Sequence, residues 1–255
     1  MNFRPGPDPD VPRLSERDRY FFPPPHTWEG NIIAIGGNLS PGMLLSAYEQ
    51  GLFPWYNPAE DPLIWQSPDP RMVIFPQDLH ISRSMQKVFD NNIYKITING
   101  DFAAVISGCA AADRPGQGGT WINADIIAAY AELHRLGWVC SAEAYLNGEL
   151  AGGCYGIRLG RVFCGESMFA KKPNASKAAF LTLAQRLFAD GVAFIDCQVP
   201  SNHLRSLGGR EISRAEFLAL LRKKNISHGG HGRTAVLRQL SVRNTKDTEE
   251  ERSGR

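Results

Sequence analysis

Two short apolar segments of this chain each carry a carboxylate, and they constrain the fold more than any other feature. The first, residues 163–169, contains Glu166, and the second, residues 192–199, contains Asp196. Both have the length of strands, and a buried carboxylate costs several kcal/mol unless it is paired. Strand alternation puts Asp196 and Gln198 on the same face, roughly 6.5 Å apart. We therefore predict that these two strands carry a functional site.

Composition narrows the function classes open to the chain. Its 255 residues carry a formal net charge of +2, so an RNA partner has to meet a local basic patch. Five cysteines, without paired spacing or a preceding signal-peptide pattern, predict small buried side chains in a reducing, cytoplasmic setting. No apolar run is long enough to cross a membrane.

Motifs that could hold a metal, a cofactor or a thiol nucleophile are incomplete. His228 and His231 flank two glycines and have no third ligand, which argues against zinc. The glycine-rich stretch 114–119 does not join a strand to a helix in the way that phosphate-binding loops do. Cys164 and Cys197 have no activating base beside them. We therefore predict no metal and no cofactor.

Changes in composition divide the chain into four parts. Residues 1–19 are proline-rich and charged, which predicts a disordered start, and the polar residues 226–255 predict a flexible tail. Residues 20–70 hold one strong helix start, Ser40 followed by proline, and then a proline-rich stretch that resembles a linker. Residues 71–225 alternate strand and helix patterns. The predicted fold is α+β, with a small N-terminal domain and a larger domain on a mixed sheet.

Local signals within the larger domain are clear in two places. Asn147 and Gly148 form the favoured two-residue turn of a β-hairpin between strands at 138–146 and 149–157. A helix predicted from Asn174 to Gly191 has an apolar stripe at helical spacing, made of Phe180, Leu183, Ala184 and Leu187. That helix connects the two carboxylate-bearing strands.

Seven sequence blocks occur in this order: GGNLSP (36–41), GLFPW (51–55), WQSPDPR (65–71), LHISRS (79–84), GTWI (119–122), FCGESMF (163–169) and IDCQV (195–199). Together they resemble the leucyl/phenylalanyl-tRNA protein transferase family, and the resemblance covers roughly residues 22–221. The resemblance implies that the larger domain is similar to the GNAT acyltransferase fold. It implies transfer of Leu or Phe, with Met as a further candidate, from aminoacyl-tRNA to proteins that begin with Arg or Lys, which marks them for degradation by the N-end rule. Asn38 departs from the family, which commonly has an acidic residue there.

The chemistry of such a transfer agrees with the residue types on the two strands. An aminoacyl ester is already activated, so the acceptor amine needs only to be held, deprotonated and aimed at the carbonyl. The resemblance assigns catalytic importance to Asp196 and Gln198. The Gln198 amide oxygen can accept a hydrogen bond from the amine while Asp196 supplies negative charge, and a direct role of Asp196 through a water is the open alternative. Glu166 is predicted to bind the cationic acceptor terminus.

Aromatic and apolar residues are candidates for binding the aminoacyl end of the tRNA. The resemblance places the 3′-adenosine near Trp55, Trp121, Tyr48 and Tyr130, because an unpaired adenine stacks on aromatic faces. Without it, core packing is the simpler interpretation of Tyr48 and Tyr130. The pocket for the Leu or Phe side chain is predicted from Phe163, Phe180, Leu183 and Ile195, which also suit a core. Exposed basic residues for tRNA phosphates are Arg71, Arg83 and Lys87.

Two other functions fit parts of the sequence. An acetyl-coenzyme-A-dependent N-acetyltransferase would share the fold and the amine nucleophile. A non-catalytic RNA-binding protein would keep the aromatic residues but would not need Asp196. Asp196 could also be a structural carboxylate that pairs with a buried Arg, and Gln198 and Glu166 could be hydrogen-bonded structural residues of their strands.

Overall fold

The structure is a computed structural model that describes residues 6–55, 61–112 and 121–225. Its strands, β1 to β10, are Ile32–Ile35, Phe53–Trp55, Ile64–Gln66, Arg71–Ile74, Lys95–Ile98, Val139–Leu146, Glu149–Leu159, Val162–Ala170, Phe194–Gln198 and Arg210–Ile212. Its α-helices, α1 to α7, are Pro41–Glu49, Arg83–Asp90, Phe102–Ala110, Ala124–Arg135, Ala175–Ala189, Asn202–Ser206 and Arg214–Asn225. The chain therefore combines strands and helices along most of its described length.

Two sheets organise the described residues. β1, β3 and β2 form a small antiparallel sheet, and seven strands form a large one in the order β10-β4-β9-β8-β7-β6-β5. In the large sheet only β8 and β9 pair in parallel, and α5 is the crossover between them. The predicted α+β fold, with a small N-terminal part and a large mixed sheet, is confirmed. The small sheet lies before residue 70 and the large one after it, although the domain boundary itself stays a prediction.

The strongest local signals lead to the predicted elements. Asn147 and Gly148 join β6 to β7 with φ values of 52° and 84°, which suits a turn that needs left-handed backbone. The α5 stripe is buried, and its residues pack with β-strand residues in one apolar cluster. Position 156 in β7 requires a glycine, because a Cβ there would lie 2.2 Å from the Cys164 carbonyl oxygen of β8. β7 and β8 can therefore approach closely behind the segment that carries Glu166.

The first residues of the described chain are not disordered. Leu14 donates its backbone N–H to the Ser40 hydroxyl at 2.9 Å, and Arg19 pairs with Glu49 at 2.8 Å. A Cβ on Gly42 would lie 2.2 Å from the Ser15 carbonyl oxygen, so this segment contacts α1 directly. The prediction of disorder for residues 1–19 is wrong for residues 6–19, because hydrogen bonds to α1 and the packing of Val11 and Leu14 against the core hold this segment.

Asn38 explains part of this docking. Its side-chain amide donates to the carbonyl oxygens of Val11 at 2.8 Å and Pro12 at 3.2 Å, while its oxygen accepts from the Ser40 N–H at 3.0 Å. An ionised aspartate cannot donate a hydrogen bond, so it could not make the first two contacts. An asparagine at this position thus suits the docked N-terminal segment.

Four short elements were not predicted. β2 follows α1, β3 lies in the stretch interpreted as a linker, α6 follows the second carboxylate strand, and β10 precedes the last helix. Each has five residues or fewer, which is too short for a periodic pattern. Residues 1–5 and the predicted flexible tail, 226–255, lie outside the described residues.

Candidate active site

The parallel pair β8 and β9 brings the three predicted polar residues together. Their register sets Cys164 opposite Asp196, so Glu166 and Gln198 each follow two residues later on neighbouring strands. The Gln198 amide nitrogen donates to Glu166 Oε1 at 3.2 Å. The two side chains predicted from separate segments therefore meet at the end of β9.

Gln198 has an unusual backbone. Its φ is +63°, in the left-handed region that residues with a Cβ seldom adopt. The Asp196 carboxylate accepts the Gln198 backbone N–H at 2.9 Å, and the facing strand β4 shifts register between Met72 and Val73. These features end the regular ladder at Gln198.

Asp196 is buried in an ion pair, and the sequence did not predict its partner. Arg71 Nε and Nη2 donate to the two Asp196 oxygens at 2.8 and 2.7 Å, and both side chains are only 1% exposed. Arg71 therefore cannot contact tRNA phosphates, and that prediction is wrong. A carboxylate with both oxygens held by a buried guanidinium is also unsuited to handling a substrate amine, directly or through a water. The geometry instead favours the structural alternative for Asp196.

Glu166 is half-buried and is supported by two tyrosines. The Tyr130 hydroxyl donates to Glu166 Oε2 at 3.0 Å and is itself hydrogen-bonded to the Tyr48 hydroxyl. Burial raises the pKa of Glu166 to about 7, against which the hydrogen bonds from the tyrosines and from Gln198 act. Burial also raises the pKa of both tyrosines, so they remain donors at neutral pH. Glu166 can thus exchange a proton near neutrality.

The tyrosines do not offer their rings to a base. Tyr48 is 1% exposed and Tyr130 is fully buried, and the Tyr130 ring packs edge-on against Tyr155 at 5.8 Å. Stacking by an adenine needs an accessible ring face. The structure therefore does not support their predicted role at the 3′-adenosine and places them beneath the Glu166 carboxylate.

The two tryptophans lie together. The Trp55 and Trp121 rings stack with centroids 5.8 Å apart and an interplanar angle of 18°. Both side chains are partly accessible, since Trp55 ends β2 and Trp121 precedes α4. Their adjacent rings make one aromatic platform suited to stacking with a base.

A cavity of about 240 Å³ opens beside Glu166 and Gln198. Phe163 and Phe180 line it, as predicted, whereas Leu183 and Ile195 are buried in the apolar cluster behind that wall. Further lining residues that the sequence did not single out for the pocket are Cys154, Tyr155, Gly165, Ser167, Met168, Cys197, Ser201, His203 and Leu204. The alternation of β8 from Glu166 to Met168 is the signal that could have found the methionine.

Other chemistries have little support among the described residues. Burial raises the pKa of the Cys164 and Cys197 thiols, so neither is a thiolate nucleophile at neutral pH. No three His, Cys, Asp or Glu side chains group as metal ligands within residues 6–55, 61–112 and 121–225, and the His228 and His231 pair lies outside them. In the same ranges no helix has the length and apolar character of a membrane span.

Known proteins that are similar to this chain carry the name of the family that the seven sequence blocks resemble. A protein described as leucyl/phenylalanyl-tRNA–protein transferase from Flavobacterium johnsoniae is 49% identical over 208 residues, covering 82% of this chain and 98% of that protein. One with the same description from Pseudomonas entomophila is 50% identical over 205 residues, covering 79% and 89%.

A solved structure described as a GCN5-related N-acetyltransferase from Kribbella flavida is 12% identical, with a TM-score of 0.37, and the match covers 68% of this chain and 62% of that one. That score is too low to support a functional argument. The family profile for leucyl/phenylalanyl-tRNA protein transferase matches residues 73–222, and that for its N-terminal domain matches residues 37–69. The chain therefore belongs to the leucyl/phenylalanyl-tRNA protein transferase family.

Proposed function

We propose that this protein transfers Leu or Phe from aminoacyl-tRNA to the α-amine of acceptor proteins that begin with Arg or Lys. The observation that carries the proposal is the hydrogen-bonded pair of Glu166 and Gln198 beside an apolar cavity. The names of the relatives, leucyl/phenylalanyl-tRNA–protein transferase, supply the substrate classes. The modified proteins become substrates for degradation, and the reaction takes place in the cytoplasm.

The aminoacyl end of the tRNA uses the apolar and aromatic parts of the site. The Leu or Phe side chain enters the cavity between Phe163 and Phe180, where its apolar surface is removed from water. The terminal adenine stacks on the platform of Trp55 and Trp121. Exposed Arg83 and Lys87 on α2 are candidates for phosphate contacts.

The acceptor amine meets Glu166 and Gln198. A free α-ammonium has a pKa of roughly 7.7–8.0, close to that of Glu166 at about 7, so proton transfer between them is nearly balanced. Glu166 binds the ammonium and takes its proton. The amide nitrogen of Gln198 already donates to Glu166, which leaves the amide oxygen to orient the amine. The amine nitrogen attacks the ester carbonyl and the carbon–oxygen bond to the tRNA ribose breaks. The second proton that the nitrogen gives up goes to the departing 3′-oxygen, and the proton on Glu166 returns to solvent.

The test is a transfer assay with purified protein. Labelled Phe should pass from Phe-tRNA to a peptide that begins with Arg, and not to the same peptide beginning with Gly or with an acetylated N-terminus. Labelled acetyl-coenzyme A serves as the competing donor. Acetyl transfer without Phe transfer would identify an N-acetyltransferase, and tRNA binding without either transfer would identify a binding protein.

A further inference from the structure

A buried ion pair lies directly behind the site, and the proposed chemistry makes no direct use of it. We propose that Arg71 is a positioning residue: by holding both oxygens of Asp196 it fixes the backbone of Gln198 and so keeps the Gln198 amide on Glu166. The inference rests on the proposed function for its kinetic consequences. Its geometric part concerns three contacts in sequence, from Arg71 to Asp196, from Asp196 to Gln198 and from Gln198 to Glu166.

The first contact fixes the orientation of the Asp196 carboxylate. Arg71 binds it through two parallel hydrogen bonds, Nε to Oδ1 at 2.8 Å and Nη2 to Oδ2 at 2.7 Å. A planar guanidinium matches a carboxylate in this two-point geometry, whereas a lysine ammonium provides a single point charge. The carboxylate plane is therefore set by Arg71.

The second contact explains the backbone of Gln198. Oδ1 of Asp196, already bound to Arg71, also accepts the Gln198 N–H at 2.9 Å. A residue with a Cβ is strained in the left-handed region, so the conformation at φ +63° needs support. Because β9 ends here, the hydrogen bond from Gln198 to the Asp196 side chain takes the place of further ladder pairing.

The third contact joins the Gln198 side chain to Glu166, the proposed proton acceptor. Gln198 Nε2 lies 3.2 Å from Glu166 Oε1, near the upper limit for such a hydrogen bond. A small rotation of the Gln198 backbone would break it. A change at Asp196 or Arg71 therefore reaches Glu166, although neither residue lines the cavity.

Arg71 is itself held between two rings from distant parts of the chain. Its guanidinium carbon lies 5.0 Å from the Phe53 ring centroid and 4.4 Å from that of Phe217. Phe53 belongs to β2, two residues before Trp55, and Phe217 belongs to α7. Arg71 thus connects the strand that carries the aromatic platform with the strand that carries Gln198.

A purely structural ion pair would predict different behaviour, and the chain offers a matched control. Glu143 is also fully buried, and it accepts hydrogen bonds from Ser141 at 2.5 Å, Thr97 at 2.6 Å and the Gly100 N–H at 3.0 Å. It lies on β6, away from the cavity lining. Glu143→Gln changes a buried carboxyl group without touching the chain of contacts to Glu166.

The experiment compares Arg71→Lys and Glu143→Gln in the full-length protein. It measures kcat and KM for Phe-tRNA, the pH–rate profile, the free energy of unfolding, and the titration of Glu166 by carboxyl ¹³C NMR. Arg71→Lys should lower kcat by roughly 10- to 100-fold, because small misplacements of reacting groups have effects of this size, while KM stays within about threefold. Glu166 should titrate at higher pH in this variant, since it loses a hydrogen bond that favours its ionised form. Glu143→Gln should change only stability.

Wild-type kcat and an unchanged Glu166 titration in Arg71→Lys would overturn the inference. If that variant does not fold, Phe217→Leu decides, because it removes one face of the guanidinium sandwich and keeps an apolar side chain. Phe217→Leu should also lower kcat and raise the pH at which Glu166 titrates. No change in either quantity would overturn the inference. If the wild-type protein transfers no amino acid, the proposed function fails, and the NMR titration still tests the positioning.

Discussion

Glu166 combines a raised pKa with contact to the cavity, and both properties arise from its neighbours. With a pKa of about 7, it is half ionised near neutrality, so proposed transfer should slow as pH falls below 7 and Glu166 becomes protonated. Glu166→Gln should lower kcat by about 10²–10⁴-fold and remove this dependence. The measurement is kcat for Phe transfer between pH 5.5 and 8.5 in both proteins. A wild-type profile in Glu166→Gln would assign the proton transfer to another group.

The raised pKa of Glu166 also makes the free energy of unfolding depend on pH. A carboxyl whose pKa is higher in the folded than in the unfolded chain favours folding while protonated, so its contribution declines as pH rises from 4.5 to about 7. Glu166→Gln should therefore raise the free energy of unfolding by about 1–3 kcal/mol at pH 8, and by less at pH 5. Urea unfolding at the two pH values tests this independently of activity.

At single positions, the sequence indicated which polar residues meet but not what they contact. Glu166, Asp196 and Gln198 stood out because strands seldom contain them, and the structure brings them together. The partner of Asp196 could not be inferred, because Arg71 is 125 positions away and looked like an exposed base. Tyr48 does not stack on an adenine but joins the Glu166 carboxylate through the Tyr130 hydroxyl, and the sequence does not reveal whether the ring or the hydroxyl of a tyrosine makes the functional contact.

Among the elements, β2 and the segment before α4 form the proposed adenine site, because they place Trp55 and Trp121 side by side. Trp55→Ala should weaken binding of Phe-tRNA by about 1–3 kcal/mol if one adenine stacks on the platform. Trp28→Ala is the matched control, since Trp28 is also partly accessible but contacts Arg214. Equal Kd values for the two variants would show that the adenine does not stack on the platform. Filter binding at fixed salt gives the Kd values.

Elements with their own local signal were predictable, and those that depend on pairing were not. The turn at Asn147 and the apolar stripe of α5 are determined by residues close together in the chain, so the sequence is enough to predict them. β3 pairs with strands on both sides yet has only three residues, which carry no period. The parallel register of β8 and β9, which builds the site, is a tertiary property.

For the whole molecule, the docked segment 6–19 is part of the folded unit. Deleting residues 1–19 should uncover the face of α1 around Ser40 and Gly42 and lower the free energy of unfolding, because the buried Asn38 and Ser40 side chains lose hydrogen-bond partners there. Deleting residues 1–5 keeps those contacts and serves as the control. Thermal unfolding of both proteins is the measurement. Equal midpoints would mean that the segment contributes little to stability.

The division into a small N-terminal part and a large mixed sheet followed from composition, but the continuity between them did not. Buried residues of α1, β4 and α7 share one apolar cluster, which includes Leu44, Val73 and Phe217. Composition marks a change of pattern and carries no information on which surfaces are later covered.

The long separation between Arg71 and Asp196 also orders events in time. During synthesis a chain leaves the ribosome from its N-terminus, so Arg71 emerges 125 residues before the carboxylate that neutralises it. Until β9 is made, the central position between β4 and β8 is vacant and the guanidinium remains hydrated. A nascent chain that ends before β9 therefore has no assembled site, and competence to bind substrate arises only after that strand has been synthesised.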